Sequence, residues 1–337
     1  MIGMRKILLC TTLLGATTAN AGMQVTPDNY ARAEVDESYK NIVKDVGSNA
    51  FRHDRALMPL AKQPAVTMNR DTVYSFGVYY VPKGTTITLP KSADNRYQSA
   101  MIMQNDDFTD QVFYAPGTFE IKSNTEFAAV VMRTQINPND PTDTQNVKKL
   151  QDGIKVNWPK GTVPKEYKIV DWDEASRMKL RAEYQKEAAK LTNFNDTSGA
   201  RGVIKPEMLR LSASVALGLL PAKDAVYLYR DYGLSGDKCY KATYAKPEFL
   251  EGGFFSFTMY GADKYLKSEN SNLNNRAIHF NEDGTFTVHY GPKEKCGEVA
   301  NWLPTPGDNW YLGMRIYRPG EGVISGKYTI PEPTAVN

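Results

Sequence analysis

The sequence has little of the material from which common catalytic and membrane-spanning structures are built. It contains three histidines and three cysteines among 337 residues. After the N-terminal segment, no apolar run approaches the ~18 residues that a membrane helix needs. The charges nearly cancel, with 41 Lys and Arg against 38 Asp and Glu. A chain without a basic excess carries no electrostatic footprint for nucleic acid or an anionic membrane, so we expect no nucleic-acid partner and no membrane span.

Well-known catalytic motifs are also missing. There is no Gly-x-Ser-x-Gly, no His-Glu-x-x-His, no P-loop and no Gly-x-Gly-x-x-Gly that opens a helix. The histidines are His53, His279 and His289. They leave few candidates for a Ser-His-Asp triad, and no serine lies in an elbow-like context. Nucleophilic serine catalysis is therefore not expected.

The first 21 residues have the pattern of an export signal. Met4-Arg5-Lys6 is basic, Ile7 to Ala16 is mostly apolar but too short to span a bilayer, and Ala19-Asn20-Ala21 offers a small-x-small cleavage site. We predict cleavage near Ala21 and a periplasmic or secreted mature protein. Without Arg5 and Lys6, the formal net charge falls from +3 to +1.

Two cysteines, Cys239 and Cys296, follow this signal. In an oxidising compartment they could form one disulfide that closes a long loop. Two unpaired thiols, too far apart to bridge, are the alternative that the sequence leaves open. Neither cysteine lies in a Cys-x-x-Cys motif or near clustered histidines, so a metal site through them is not expected.

The apolar periodicity indicates two β-rich regions joined by a helical one. Val35, Tyr39 and Ile42 lie on one stripe and predict a helix over 28–48. Residues 173–191 and 206–219 are the other helical candidates. Segments rich in β-branched and aromatic residues predict strands at 72–81, 85–89, 97–104, 111–114, 126–136, 238–245, 253–260, 276–281, 285–290, 309–318 and 323–330.

Short strands at this spacing favour a sandwich or barrel over βαβ units. We predict a mainly β fold with two β-sandwich or jelly-roll-like lobes, an N-terminal helix and a central helical insertion. The expected division is a signal peptide (1–21), an N-terminal helical segment (22–65), a first β lobe (66–136), a linker with helices (137–235) and a second β lobe (236–337).

A hairpin is predicted around the turn at Asn281 to Thr285. Its inner face would carry Ile278, Phe280, Phe286, Val288 and Tyr290. The outer face would carry His279 and His289 as diagonal neighbours about 7 Å apart. Given a third ligand, such a pair could bind a metal ion, but a polar outer face explains the histidines as well, and no metal site is predicted.

Two segments carry a resemblance to known families. Asn69 to Ser75, followed by Leu89-Pro90 and Arg96 to Ser99, resembles the domain-of-unknown-function family 1254. Phe254 to Tyr260, continuing through Asn301-Trp302-Leu303-Pro304 to Arg315-Ile316-Tyr317-Arg318-Pro319, resembles family 1214. The pair implies two β-sandwich or jelly-roll lobes in close contact. It implies no established reaction, substrate or cofactor.

Carboxylates are the main candidates for catalysis. Acid/base chemistry needs only an Asp/Glu pair some 5–10 Å apart. The candidates are Asp71, in the first family block, and Asp107 or its neighbour Asp106, which follow the strand at 97–104. The oxygen-rich run from Gln104 to Asp110 makes a Ca²⁺ site conceivable, but it lacks EF-hand spacing, and a solvated loop is the commoner explanation. No cofactor is predicted.

Three arginines and one tryptophan are the candidates for ligand binding. Arg70 either pins the entry to strand 72–81 together with Asp71 or positions a ligand. Arg133 lies in an apolar run where a charge must find a partner, and Arg315 raises the same question beside Tyr317. Trp302 either packs in the core or offers a platform for a sugar. The chain's 20 Tyr and 4 Trp would suit stacking on carbohydrate.

Three functions remain open at this point. The first is an exported protein that binds or processes glycan, cell-envelope material or another small molecule in a cleft between the lobes. The second is a hydrolase with a carboxylate pair around Asp71, and the third is a structural protein that could assemble as a homo-oligomer. The first two would be favoured if one concave pocket were lined by Arg70, Asp71, Asp107, Arg133 and Arg315.

Overall fold

The structure is a computed structural model that describes residues 22–138 and 140–336. The predicted export signal lies outside the described residues. Within them, the fold is mainly β, with sixteen strands in four sheets and six helices. The helices are α1 (Tyr30–Val46), α2 (Asp143–Asp152), α3 (Glu174–Ala188), α4 (Pro206–Val215), α5 (Lys293–Cys296) and α6 (Glu321–Ile324). The predicted mainly β fold with sandwich-like pairs of sheets is confirmed.

The strands follow in chain order. They are β1 (Arg52–His53), β2 (Thr72–Tyr80), β3 (Thr86–Leu89), β4 (Gln98–Gln104), β5 (Gln111–Tyr114), β6 (Gly117–Glu120), β7 (Phe127–Gln135), β8 (Lys155–Asn157), β9 (Ala225–Asp231), β10 (Tyr240–Tyr244), β11 (Phe249–Tyr260), β12 (Asn272–Asn274), β13 (Phe286–Tyr290), β14 (Trp302–Leu303), β15 (Tyr311–Pro319) and β16 (Thr334–Ala335).

The first sandwich pairs a five-stranded sheet, ordered β1-β2-β7-β4-β5, with a three-stranded sheet, ordered β6-β3-β8. Side chains alternate across each strand, so one face of the large sheet packs against the small sheet. Ile102, Val130 and Met132 from the large sheet share a core with Ile87 and Leu89 from the small one. The other face of the large sheet points away from this core.

The second sandwich pairs the sheets β12-β11-β15-β9 and β14-β13-β10-β16. Its core is strongly aromatic, with Phe255, Phe257, Phe286, Tyr244 and Trp310 fully buried. The structure joins Cys239 and Cys296 in a disulfide with their Cα atoms 5.1 Å apart. This bridge ties the start of β10 to α5.

The outer face of the five-stranded sheet meets the outer face of the β12-β11-β15-β9 sheet of the second sandwich. Phe254 of β11 stacks on Tyr317 of β15 at 4.4 Å between ring centroids, and Tyr97, just before β4, lies 5.2 Å from Tyr317. Helix α1 covers the rest of this interface, where the Tyr39 hydroxyl donates to the carbonyl of Met103 at 2.7 Å. Val35, Tyr39 and Ile42 are all buried, as the apolar stripe predicts.

The predicted hairpin at 276–290 is wrong in its first strand. Residues 276–281 form no strand, because a turn follows Asn274, whose carbonyl accepts from the backbone N–H groups of Ala277 and Ile278. Strand β13 instead pairs with β10 and, in parallel, with β14. Ile278 and β13 still contribute to the core, but Phe280 is 43% exposed. Strand β13 thus pairs with strands that are distant in the sequence and not with the segment that immediately precedes it.

Two further elements differ from the prediction. Residues 323–330, predicted as a strand, contain the end of α6 and then coil. Residues 225–231, placed in the linker and helical region, form β9 and pair with β15 along seven positions. Strand β9 therefore completes the sheet of the second sandwich that faces the first.

Candidate functional site

Asp71 lies at the junction of the two sandwiches, just before β2, and is fully buried. Its Oδ2 accepts a short hydrogen bond from the Ser256 hydroxyl, and its Oδ1 accepts from the Asn272 amide at 2.9 Å. Burial raises the pKa of Asp71, opposed by these hydrogen bonds and by the nearby Arg315 and Arg70. A carboxylate held by two donors inside an interface is placed to join the sandwiches, since no surface remains for a substrate.

The segment 67–71 makes the same connection through its backbone. The Thr67 carbonyl accepts from Arg315 at 2.6 Å, and the Met68 carbonyl accepts from the Tyr260 hydroxyl at 2.8 Å. The Asn69 amide donates to the Tyr317 hydroxyl at 2.6 Å. Every one of these contacts spans more than 190 residues of sequence. The segment that carries the resemblance to family 1254 thus lies directly on the sheet of the second sandwich.

Arg315 is a buried arginine on β15 with three oxygen acceptors. Besides Thr67, its guanidinium donates to the Thr258 hydroxyl at 3.0 Å and to the Tyr260 hydroxyl at 2.7 Å. Burial alone would lower its pKa, but Tyr229, Tyr260, Tyr317 and Asp71 outweigh this, and the pKa is raised. Arg315 therefore stays charged and is largely satisfied by the protein itself.

Arg133 is a buried arginine on β7 with much poorer partners. It is 5% exposed, and its guanidinium donates to the Gly218 carbonyl at 2.9 Å and contacts the Met101 sulfur at 3.8 Å. It also lies 5.4 Å from the ring centroid of its cross-strand neighbour Tyr74. Among the described residues, no Asp or Glu lies within ion-pair distance of it. Burying a cation without a counter-ion is costly.

Tyrosine rings surround Arg133 from both sandwiches. Burial lowers the pKa of Arg133, but four tyrosines, Tyr74, Tyr227, Tyr97 and Tyr317, outweigh it, so that the pKa is raised and the guanidinium stays protonated. Tyr227 on β9 is the cross-strand partner of Arg315 and is electrostatically coupled to Arg133 as well. The two arginines thus lie on the facing sheets of the two sandwiches, with Tyr227 electrostatically linked to both.

Two of these tyrosines, and Tyr229 beside Arg315, keep a free hydroxyl. Tyr74, Tyr227 and Tyr229 are partly exposed. Within residues 22–138 and 140–336, no protein group hydrogen-bonds to their hydroxyl oxygens. Tyr229 lies flat against Gly313, where an added Cβ would come within 2.8 Å of the ring. We call the group of Arg133, Tyr74, Tyr227 and Tyr229 the arginine–tyrosine cleft.

Arg70 and Trp302 lie outside this cleft. Arg70 forms its ion pair with Glu269 and not with Asp71, while its Nη1 donates to the Met58 carbonyl at 3.3 Å. Trp302 lies on β14, in the sheet of the second sandwich that faces away from the first, and its indole N–H donates to the Gly291 carbonyl at 2.9 Å. The structure does not bring these two side chains to the other candidates.

Asp107 lies far from Asp71. The Asp71 carbonyl accepts from the N–H of Ile136, just beyond the end of β7 that pairs with Gln98, whereas Asp107 follows Gln104 at the opposite end of β4. At 3.3 Å per residue, these two ends of β4 are about 20 Å apart. That separation exceeds the 5–10 Å range of a carboxylate pair in a glycosidase-type site. The predicted Asp71–Asp107 catalytic pair is therefore not formed.

The acidic loop after β4 is occupied by protein partners. Asp106 forms an ion pair with Arg201, and Asp110 accepts from the backbone N–H of Arg201 at 2.7 Å. The Asn105 amide donates to Asp36. In the part of the chain that the structure describes, no group of three or more His, Cys, Asp or Glu side chains is placed to hold a metal ion. The loop offers no assembled Ca²⁺ site.

Sequence reasoning missed Tyr74, Tyr227 and Tyr229 as members of the site. A signal was present, since Ala225, Tyr227 and Tyr229 alternate along β9 as one strand face. It was overlooked because 137–235 was assigned to linker and helices. Gly218, whose carbonyl is the main acceptor for Arg133, lies in a loop and leaves no pattern in the sequence.

Two observations bear on location. The described residues include no helix that is both long and apolar enough to cross a membrane. The disulfide is consistent with an extracellular or periplasmic location, because such bonds persist in oxidising compartments.

Comparisons with known proteins extend the description of the fold. Residues 229–321 match the model of a family described as "Protein of unknown function (DUF1214)". That range includes the segment whose resemblance to family 1214 was predicted. The resemblance of the N-terminal block to family 1254 stays a prediction.

Solved structures are similar over most of the chain. A crystal structure of a Vibrio parahaemolyticus protein has a TM-score of 0.68 at 18% identity, covering 93% of this chain and 100% of that one. A crystal structure of an uncharacterized protein from Burkholderia cenocepacia has a TM-score of 0.50 at 12% identity, covering 91% and 86%. At such identities the likeness shows the fold alone. No curated protein matches the sequence.

Proposed function

We propose that this protein is exported and binds a small acidic molecule, with the size and hydroxyl groups of an acidic sugar, in the arginine–tyrosine cleft. One observation carries the proposal. Arg133 is a buried cation that has no carboxylate partner among the described residues, although every other strongly buried arginine has either an acid or several oxygen acceptors.

A ligand carboxylate would supply the missing counter-ion. Taking an isolated charge out of water costs several kcal/mol, and an oppositely charged group with good geometry offsets that cost. The guanidinium presents its donors as a planar fork that matches a carboxylate. Its contacts with Gly218 and Met101 leave donors of this fork uncommitted.

The tyrosines suit the remainder of such a ligand. Tyr74, Tyr227 and Tyr229 offer hydroxyls that can donate to or accept from sugar hydroxyl groups. Their partly exposed rings give flat apolar faces next to the charge, a combination of a polar tip and an apolar body that is common in binding sites. Asp71 has no part in this binding, because both of its oxygens are occupied inside the interface.

The decisive experiment compares Arg133→Met with the wild type. We expect D-glucuronate or D-galacturonate to bind the purified wild-type protein in isothermal titration calorimetry, and Arg133→Met to weaken this binding at least about tenfold. Methionine fills similar space without charge. The thermal unfolding midpoint of Arg133→Met should therefore not fall, because replacing a buried unpaired charge by an apolar side chain is often neutral or stabilising.

Arg201→Met is the matched control. Arg201 also lies over an aromatic ring, that of Phe108 at 4.3 Å, but it is paired with Asp106 and lies away from the cleft. The Arg201→Met variant should bind both uronates as the wild type does. The proposal would be wrong if the wild type bound neither uronate, or if Arg133→Met bound them unchanged.

A further inference from the structure

A second cavity lies at the seam between the sandwiches and is separate from the arginine–tyrosine cleft. It measures about 290 Å³ and is formed by the ends of β4 and β7, the start of α2 and the residues that follow β12. Binding pockets for small molecules begin at about 300 Å³. The cavity is therefore of a size for a single sugar ring or a small polyol. We call it the seam cavity.

The charged side chains of the seam cavity neutralise one another. Arg96 uses all five of its N–H donors, two on Asp143, two on Asp94 and one on the Gln135 carbonyl. Arg276 adds a 2.9 Å contact to Asp94. These hydrogen bonds hold the charged side chains of the cavity lining in place and leave neither arginine free to bind an anionic ligand. Asp140 adds another negative charge to the lining, which also disfavours an anion.

Amide groups are the uncommitted part of the lining. Gln135 is 3% exposed, and its Nε2 has no partner although its Oε1 accepts from the Tyr97 N–H at 3.3 Å. Asn274 is 6% exposed and accepts from the Arg276 N–H at 3.1 Å, while its NH₂ group has no protein acceptor among the described residues. Asn146 lies at the rim, and its Oδ1 accepts from no described group.

Gln135 Nε2 is a buried amide donor without a partner, and it disfavours an empty cavity because it forgoes the hydrogen bonds that it makes in water. Two NH₂ groups and one carbonyl, beside arginines that are already paired with acids, match a ligand that has several neutral hydroxyl groups. We infer that the seam cavity binds a small neutral polyhydroxylated molecule, a single sugar ring or a polyol, through Gln135, Asn274 and Asn146. This inference does not depend on the ligand proposed for Arg133.

The test uses D-glucose, D-galactose and glycerol as probes in saturation-transfer NMR with the purified protein. We expect at least one of them to bind, and Gln135→Leu to weaken that binding about tenfold, the effect of one lost hydrogen bond. Gln135→Leu removes an unpaired NH₂ group but also the Oε1 acceptor of the Tyr97 N–H, so the fold of the variant is checked by circular dichroism before binding is measured. Gln145→Leu, at an exposed position next to Asn146 in sequence but outside the cavity lining, is the control and should bind as the wild type does.

Arg133→Met separates this site from the arginine–tyrosine cleft, and it should leave the binding of the neutral probes unchanged. The inference would be overturned if none of the three probes bound, if only water occupied the cavity, or if Gln135→Leu bound them as the wild type does. Loss of neutral-sugar binding in Arg133→Met would also overturn it, because the probes would then occupy the other site.

Discussion

Asp71 and Asp107 are two buried carboxyl groups at opposite ends of the five-stranded sheet, and their surroundings differ completely. Asp71 has a hydrogen bond to each oxygen and two arginines nearby. The side chain of Asp107 has no hydrogen-bond donor among the described residues, and its charged neighbours, Asp106 and Glu34, are both acidic. The same residue type in the same sheet is therefore an interface contact in one place and an uncompensated acid in the other.

The difference shows that burial alone does not identify a functional carboxylate. Burial raises the pKa of both groups, and for Asp107 the nearby Asp106 and Glu34 raise it further. The donors and arginines around Asp71 oppose this rise in pKa, although burial still outweighs them. The hydrogen bonds that Asp71 accepts should contribute to the stability of the fold, whereas the uncompensated charge of Asp107 should reduce it at neutral pH.

The largest effect is expected for Asp71→Ala. The change leaves the Asn272 amide and Ser256 hydroxyl without their acceptor and Arg315 without its nearest acid, so the free energy of unfolding should fall by about 3 kcal/mol. Asp71→Asn keeps one acceptor oxygen and should lose less, about 1 kcal/mol. Urea-induced unfolding measures both. A substitution by alanine with no loss of stability would contradict the role assigned to Asp71.

A smaller effect of opposite sign is expected for Asp107→Asn. The residue has a backbone φ of 71°, a left-handed conformation that asparagine adopts readily, so the change removes the charge without straining the chain. A carboxyl group whose pKa is raised in the folded state favours unfolding as pH rises, because the unfolded chain releases its proton first. Removing that group should therefore stabilise the protein only above the unfolded pKa of about 4.

Thermal melting of Asp107→Asn at several pH values measures this sign. The variant and the wild type should melt together near pH 4, and the variant should melt at the higher temperature at pH 8, because the raised pKa of Asp107 costs stability only where the unfolded chain is ionised. If the variant were equally destabilised at both pH values, Asp107 would have a partner that its surroundings do not reveal.

The smallest effect is expected for Asp106→Asn. Asp106 and Arg201 form a surface ion pair with side chains 32% and 41% exposed, and such pairs contribute about 0–1 kcal/mol. The change also removes one negative charge near Asp107, and the weaker repulsion offsets part of the lost stability. Urea unfolding at pH 7 should therefore place this variant within about 0.5 kcal/mol of the wild type. A loss of unfolding free energy as large as that of Asp71→Ala would show that the surroundings of Asp71 and of the Asp106–Asp107 loop do not differ in this way.

Local patterns predicted much of the fold. The stripe of Val35, Tyr39 and Ile42 identified α1, and segments rich in β-branched and aromatic residues identified most strands of both sandwiches. The hairpin at 276–290 failed for a physical reason. Strand β13 gains more by pairing with β10, about 45 residues earlier in the sequence, than with its neighbour, and sequence adjacency does not reveal such a partner.

The candidate site was predicted only in part. Arg133 and Arg315 stood out because a charge in an apolar strand needs an explanation, and both lie on the facing sheets of the two sandwiches. Asp71 also lies in this region, where it is an interface contact, whereas Asp107 and Trp302 lie elsewhere in the fold. Gln135 and Asn274 were not singled out, because polar residues at strand ends are common and nothing local marks one that lines a cavity.

The sequence by itself determined where most of the helices and strands lie, which residues of them are apolar, and which cysteines could pair. These properties depend on neighbours within a few positions. Tertiary structure alone decided that Asp71 would meet Ser256, 185 positions away, and that Arg133 would meet Gly218, 85 positions away, and no acid. The energy of a buried charge depends on the groups within a few ångströms of it, and those groups come from distant parts of the chain.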